Sequence, residues 1–311
     1  DILPPPALAR ELVGRVEPMT LYPFSQGELE GHREGFIEAL FAPTPLPRDL
    51  GEPVADAAAR VLAGGYPEPL RRNDAGRREA WYEAYLTTIL QRDLREVGDA
   101  DRLAALPRLL AMAAARSASL LNISELSRSL AIPRSTLDRY LALLEAACLL
   151  RRLPAWSGNL GKRLTRAPKL MLEDSGLAAH LLGLGSNGLD PDRFGPLLEA
   201  FVARELVRQA SWSSARVGIH HFRTTAGLEV DLLLEDPRGR LVAIEVKASQ
   251  TLRDRDLKPL RSLGDTLGSK LLRGVLLHLG AQRVDFGPNL HAMPLAALWR
   301  LGRAAHDQPA A

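Results

Sequence analysis

The 311 residues are 46% hydrophobic and 25% charged, with a formal net charge of +3; a chain of this kind can bury two or three small cores, and its charge is too small to argue by itself for nucleic acid. The single cysteine, Cys148, excludes an internal disulfide framework, suits a reducing compartment and is expected to be a small buried apolar residue. No apolar stretch reaches the length of a membrane span and the first residues have no signal-peptide layout, so a cytoplasmic protein with no membrane partner is expected.

In chain order, residues 8–15 read as a helix and 16–21 as a strand without neighbours. Asp1 stands where a methionine would begin a chain, so the sequence reads as an N-terminally truncated fragment. No G-x-x-x-x-G-K-[ST] occurs, so the backbone cradle for β- and γ-phosphates is missing and ATPase activity is not expected of these residues. Residues 52–62 and 76–97 are helical in period, with Pro67 and Pro69 punctuating the connection. Trp81, Tyr85 and Ile89 recur at helical spacing as a core stripe, which leaves Arg92 and Asp93 at a domain contact.

Asn122 can cap a helix that runs to Leu130, Ala131-Ile132 makes a turn, and Pro133 opens a second helix running to Ala147. Leu126, Leu130, Ile132, Leu137, Tyr140, Leu141 and Leu144 supply its core. With a strand over 148–153 and a hairpin over 158–163 as the wing, the unit reads as a winged helix-turn-helix. Arg134, Ser135, Thr136 and Arg139 occupy the first turns of the second helix, where side chains reach base edges or phosphates. Arg151, Arg152, Lys162, Arg163 and Arg166 add basic charge near the wing, while Asp138 counts against strong phosphate contact. DNA contact and protein contact both remain open for this unit.

Leu170-Met171-Leu172-Glu173-Asp174 resembles the acidic end of a magnesium-binding strand, but without a phosphate loop it reads as a strand end near a domain junction. A helix over 194–209 follows, with Leu197, Leu198, Phe201, Val202 and Leu206 on one side. Glu199 falls at the margin of that arc and Glu205 in its middle. Glu199 is favoured for chemistry, and a buried structural role suits Glu205 as well as a functional one. His220-His221 falls on an expected strand, where the rings face opposite ways, and the histidines show no zinc spacing.

Val230, Leu232 and Leu234 alternate with Asp231, Leu233 and Glu235, and Val242, Ile244 and Val246 alternate with Ala243, Glu245 and Lys247, so both segments read as strands. If Pro237-Arg238-Gly239 is a three-residue loop with Gly239 left-handed, Asp236 faces Arg240 and Asp231 faces Glu245, with Cβ atoms about 5 Å apart. Lys247 projects from the same face, as do Leu233, Leu241 and Ala243, so the charges look covered. Covered like charges need a partner. A hard divalent ion, Mg2+ or Mn2+, takes oxygens from such carboxylates, and the lysine would position water or stabilise developing charge. Only five of the 40 basic residues are lysines, so Lys247 is not the default choice.

The order of helix with Glu199, strand with Asp231, strand with Glu245-x-Lys247, a helix over 254–263 and a strand over 271–279 resembles the PD-(D/E)XK nuclease-like fold. More narrowly, the sequence resembles domain of unknown function 4143, which follows an AAA-type ATPase module in many prokaryotic ATP-binding proteins. The motifs are Phe194-Gly195-Pro196-Leu197-Leu198-Glu199-x-Phe201-Val202, His221-Phe222-Arg223-Thr224-Thr225, Glu229-Val230-Asp231 and Ile244-Glu245-Val246-Lys247-Ala248. Upstream it continues in Gly64-Gly65-Tyr66-Pro67, Tyr85 with Arg92-Asp93, and residues 169–176.

The resemblance implies a mixed α/β multidomain chain: an ATPase-module remnant (1–45), a helical lid (46–112), a winged helix-turn-helix (113–168) and a nuclease-like α/β domain (169–311). It places a metal site at Glu199, Asp231 and Glu245 with Lys247 as the catalytic lysine, and ATP in a parent protein only. Arg15 reads as a surface arginine, with a trans-acting arginine of an oligomeric assembly as the other reading. The implied function is DNA-associated phosphodiester cleavage. The alternative is a non-catalytic sensing or docking scaffold coupled to the missing ATPase module or to homo-oligomer neighbours.

Overall fold

The computed structural model describes residues 17, 19–46, 52–92, 105–185 and 190–302. The expected helix over 8–15, Arg15 and Asp93 lie outside the described residues, as does the side chain of Arg92. Residues 19–21 form no strand, and Met19 and Leu21 are 92% and 97% exposed. Among the described residues no strand pairs with this segment.

Helices α1 (Gln26–Leu29), α2 (Phe36–Phe41), α3 (Val54–Ala63), α4 (Pro67–Leu70), α5 (Ala75–Arg92) and α6 (Ala105–Ala115) come first. The aromatic stripe on α5 is half-buried rather than a core stripe, with Trp81 and Tyr85 stacked at 4.8 Å. Tyr82 and Leu90 are buried instead, and the Tyr82 ring stacks on His180 at 5.2 Å. Gly64 and Gly65 have a specific cause. A Cβ on Gly64, which sits at φ +71°, would stand 2.3 Å from Asp174 Oδ1, and one on Gly65 would stand 2.2 Å from the Phe24 carbonyl.

Strands β1 (Ser119–Leu120), β2 (Leu150–Leu153) and β3 (Lys169–Leu172) form an antiparallel three-stranded sheet with β3 in the centre. Between β1 and β2 lie α7 (Ile123–Leu130) and α8 (Arg134–Ala146). The start and turn signals hold: Asn122 Oδ1 accepts the Glu125 N–H at 3.1 Å, Ala131 turns left-handed at φ 55°, and Pro133 precedes α8. All seven expected core residues of this unit are buried.

Two expectations here are corrected. Cys148 is half-buried and left-handed at φ 52°, because it ends α8, so β2 begins at Leu150. Residues 158–163 are not a hairpin. Asn159 Oδ1 accepts the Lys162 N–H at 3.1 Å and opens α9 (Leu160–Thr165), and the partner of β2 is β3, from Leu150↔Leu172 to Leu153↔Lys169. A side-chain cap outweighs the turn signal of the glycines.

After α10 (Ser175–Leu182) and α11 (Pro191–Ala210) come β4 (Gly218–Arg223), β5 (Glu229–Glu235), β6 (Leu241–Lys247), α12 (Lys258–Leu267), β7 (Leu271–His278), β8 (Val284–Asp285), β9 (Leu290–Pro294) and α13 (Ala297–Arg300). The six strands order as β4-β5-β6-β7-β9-β8. Strands β4, β5 and β6 pair antiparallel, and β6, β7 and β9 pair parallel, with α12 in the β6–β7 crossover. The β5–β6 turn is as expected: Asp236 N–H donates to the Arg240 carbonyl at 3.0 Å and Gly239 sits at φ +75°.

One sheet face, with Leu232, Leu234, Val242 and Ile244, packs with Leu197, Leu198, Phe201 and Val202 of α11. The other, with Leu233, Leu241 and Ala243, packs with Leu260 and Leu263 of α12. Val230 breaks the expected alternation: it packs with Leu233, not with Leu232, beside a register shift between His220 and Phe222 in β4. The two sheets are tied together, since His221 N–H donates to the Pro154 carbonyl at 3.0 Å and Trp156 N–H donates to the His221 carbonyl at 2.7 Å. Among the described residues no helix is long and apolar enough to cross a membrane.

Candidate functional site

Glu199 projects from the third turn of α11, a helix opened by Asp190, whose Oδ1 accepts the Asp192 N–H, and by Pro191 at its first position. Asp231 comes from the start of β5 and Glu245 and Lys247 from the end of β6. The register Leu232↔Ile244 places Asp231 against Glu245, as the turn geometry requires, but backbone pairing stops at Leu232. From there Asp231 Oδ2 accepts the Val246 N–H at 2.8 Å. A carboxylate thus takes over the place of a ladder carbonyl, and the two strands open around it.

Lys247 Nζ lies 2.7 Å from Glu245 Oε1. Glu199 has a partner that the sequence reading missed: Lys169, the first residue of β3. Its Nζ lies 2.7 Å from Glu199 Oε1 and 2.9 Å from Glu229 Oε1, and its side chain is only 2% exposed. Glu229 Oε2 reaches Arg223 Nη1 at 3.3 Å. His221 stands beside this group, buried, with Nε2 3.1 Å from the Ala167 carbonyl and Nδ1 without a partner among the described residues. Two signals were present. Lysine is as scarce at 169 as at 247, and it opens an otherwise apolar strand, where a buried ammonium requires counter-charge.

The electrostatics join these residues into one cluster. Burial, reinforced by the Asp231 charge, pushes the Glu199 carboxyl up to about 8 and the Glu245 carboxyl up to about 7. Burial also raises Asp231, against the pull of Lys169, the Val246 N–H and Lys247. Burial pulls Lys169 down, but Glu199 and Asp231 outweigh it and hold the ammonium above the ordinary lysine range. Burial disfavours the Glu229 carboxylate, but the hydrogen bond and charge of Lys169 together with the Arg223 charge outweigh it, leaving it below the ordinary value.

The donor chemistry suits a hard divalent ion: the Asp231 charge acts on both Glu199 and Glu245, and Glu245 Oε2 is buried with no hydrogen-bond partner among the described residues. The side chains are nevertheless not gathered into a cage. Among the described residues no three His, Cys, Asp or Glu side chains converge on one point. Glu199 is drawn to Lys169, Glu245 to Lys247 and Asp231 to a backbone amide.

The competing acid of α11 has a different place. Glu205 is fully buried, its Oε2 accepting the Gln26 N–H at 3.0 Å and its Oε1 paired with Arg208 at 2.5 Å. Six residues separate it from Glu199, about 240° around the helix. Arg208 also faces Asp174, which accepts the Gly65 N–H at 2.6 Å and caps α10 through the Leu177 N–H at 2.9 Å. Glu205 and the Gly64-Gly65 and Glu173-Asp174 motifs therefore fasten the N-terminal helices to α11.

On α8, Arg134, Ser135 and Arg139 are exposed and Thr136 is half-buried. Arg134 Nη2 donates to Ser124 Oγ, and the Arg139 guanidinium lies 5.9 Å from the centre of the Tyr140 ring. Much of the expected basic surface near the wing is committed elsewhere. Arg151 pairs with Glu173, Arg152 with Glu145 and Arg163 with both oxygens of Glu235, while Arg166 donates to the carbonyls of Trp156 and Arg223.

Residues 194–298 match the model of a domain of unknown function, DUF4143. This family is usually found with AAA ATPase proteins. Residues 55–188 match a second domain of unknown function, DUF8612. The chain is similar to Uncharacterized protein Rv2008c of Mycobacterium tuberculosis and to Uncharacterized protein Mb2031c of Mycobacterium bovis. Each is 33% identical over 206 residues, which is 66% of this chain and 45% of the relative. The chain thus spans less than half the length of these curated relatives. No solved structure matches it significantly. Against these matches the site is composite: Glu199, Glu229, Asp231, Glu245 and Lys247 lie in the DUF4143 region, and Lys169 enters from the DUF8612 region.

Proposed function

We propose that the DUF4143 region is a PD-(D/E)XK nuclease-like domain whose Glu199, Asp231 and Glu245 hold Mg2+ or Mn2+ and whose Lys247 acts at a phosphodiester. The observation that carries this reading is the place where β5 and β6 part: Asp231 and the two covered carboxyls that its charge raises, Glu199 and Glu245, one buried oxygen with no partner among the described residues, and a lysine two residues along the strand. The strand order supports it, with the carboxylate hairpin followed by α12 and a parallel β7. A divalent ion bound there would polarise the phosphoryl oxygen and activate water. The chain's own contribution would be to fix Asp231 against the Val246 amide, to exclude water with α11 and α12, and to hold the Lys247 ammonium beside Glu245.

In the same reading, residues 113–168 are a winged helix that presents Arg134, Ser135, Thr136 and Arg139 to DNA. The chain serves as a cytoplasmic, DNA-associated part of an AAA-type ATP-binding protein. ATP belongs to the parent protein's ATPase module and not to these residues, which carry no phosphate loop.

A second reading, a non-catalytic scaffold that senses or docks, is favoured by one observation: each acid already has a cation or a backbone amide as its partner, so no ion is required to satisfy it. Calorimetric Mn2+ titration of the full chain separates the two. The full chain is needed because one core runs through both family regions and Lys169 crosses between them. Saturable binding abolished by Asp231→Asn and Glu245→Gln, with cleavage of duplex or single-stranded DNA, supports the nuclease. A folded protein that binds no Mn2+ supports the scaffold.

A further inference from the structure

Lys169 is the feature that the nuclease reading does not use. Its backbone is fixed on both sides, paired with Leu120 and with Leu153 in the middle of the three-stranded sheet. The strand's approach is pinned as well, because the preceding Ala167 carbonyl lies 3.1 Å from His221 Nε2. The ammonium can therefore move only by swinging its four-carbon stem. Two berths are within reach. Glu199 is the inner one, with a side chain 16% exposed, and Glu229 is the outer one, 34% exposed and shared with Arg223.

We propose that Lys169 is a built-in cation that competes with the divalent ion for Glu199, and that loading the site moves its ammonium to Glu229 alone. The inference rests on the metal reading above. A cation at 2.7 Å from Glu199 Oε1 neutralises the carboxylate that a metal would need and occupies the oxygen that would ligate it. Placing a divalent ion beside an unmoved ammonium would set like charges against each other in a water-poor pocket, where repulsion is strong. Glu229 removes this obstacle, since its carboxylate keeps the displaced ammonium paired and avoids an orphaned buried charge. Because Lys169 belongs to β3, the metal affinity of the DUF4143 region is then set by how the DUF8612 region sits against it.

The test is Mn2+ affinity in the full chain, by calorimetry and by the loss of free-ion Mn2+ electron paramagnetic resonance signal, for wild type, Lys169→Gln and Glu229→Gln. Lys169→Gln keeps a hydrogen-bond donor but removes the charge, and it is expected to bind Mn2+ at least tenfold tighter while melting at a lower temperature without metal. Glu229→Gln touches no proposed metal ligand, and it is expected to bind more weakly than wild type because the outer berth is gone. Should Lys169→Gln fail to fold, Glu229→Gln alone decides. Unchanged or weaker binding by a folded Lys169→Gln overturns the competition. Unchanged binding by Glu229→Gln overturns the outer berth. If wild type binds no Mn2+ but Lys169→Gln does, the competition stands and the site is latent rather than a working nuclease. If no variant binds, the metal reading and the competition fall together.

Discussion

The Asp231 carboxylate accepts the Val246 N–H at 2.8 Å, at the point where the backbones of β5 and β6 cease to pair. One side chain thus holds the sheet together and contributes a charge to the buried cluster. These roles separate by substitution. Asp231→Asn keeps an acceptor oxygen and removes the repulsion with Glu199 and Glu245, so the apo protein is expected to be as stable as wild type or more so while Mn2+ binding is lost. Asp231→Ala removes the acceptor and is expected to cost about 1–3 kcal/mol for the stranded amide. Urea melts of the two variants check the pair, and an Asn variant much less stable than wild type would place Asp231 among purely structural residues.

Glu199 and Glu245 are both raised in the folded state by burial and by the Asp231 charge, up to about 8 and about 7. Each therefore contributes stability that is fully present below the unfolded carboxyl value, about 4.3, and is lost as pH rises through the folded value. The metal-free protein is expected to lose stability from pH 5 upward to about 8, and Glu199→Gln is expected to flatten that slope. Melting temperature measured against pH in both proteins decides it. A slope that Glu199→Gln leaves intact would assign it to other groups.

Glu205 and Glu199 stand on one helix and differ in kind. Glu205→Ala leaves Arg208 buried without its nearest counter-charge and strands the Gln26 N–H, so a loss of about 3–5 kcal/mol is expected. Glu205→Ala should loosen residues around α1 first, because the anchored amide begins that helix. Hydrogen exchange at residues 24–30 gives the readout, and protection equal to wild type would refute the anchoring role.

Gly65→Ala puts a Cβ 2.2 Å from the Phe24 carbonyl, a backbone atom that cannot turn aside. A loss of about 2–3 kcal/mol is expected, with the Phe24–Gly65 hydrogen bond the first casualty. Denaturant titration suffices, and a neutral outcome would mean that the N-terminal segment is not held at this point.

If α8 presents its first turns to DNA, Arg134→Ala with Arg139→Ala should weaken duplex binding across sequences and reduce the salt slope by about two. Fluorescence anisotropy at several salt concentrations measures this. A slope that stays the same would leave residues 113–168 to protein contacts.

Local rules carried much of this protein. The Asn122 cap, the Ala131 turn and the α8 start depend on side-chain to backbone bonds a few residues apart, and the Asp236 to Arg240 loop needs only a left-handed Gly239, so all were legible along the sequence. The opposition of Asp231 and Glu245, with Lys247 beside Glu245, followed from the turn and the strand register, whereas Glu199 was singled out by its resemblance to the nuclease pattern. What the sequence could not fix were contacts between elements far apart in the chain. The partner of β2 was misplaced because Asn159 caps a helix where glycines suggested a turn. The burial of Glu205 against Gln26 and the arrival of Lys169 between Glu199 and Glu229 depend on how the helical and three-stranded units pack on α11 and β5, 30 residues or more away in the chain. A sequence shows that a buried charge needs a partner. Which charge meets which is decided only when the layers close, because pairing energy falls off within a few ångströms while chain order sets no distance between modules.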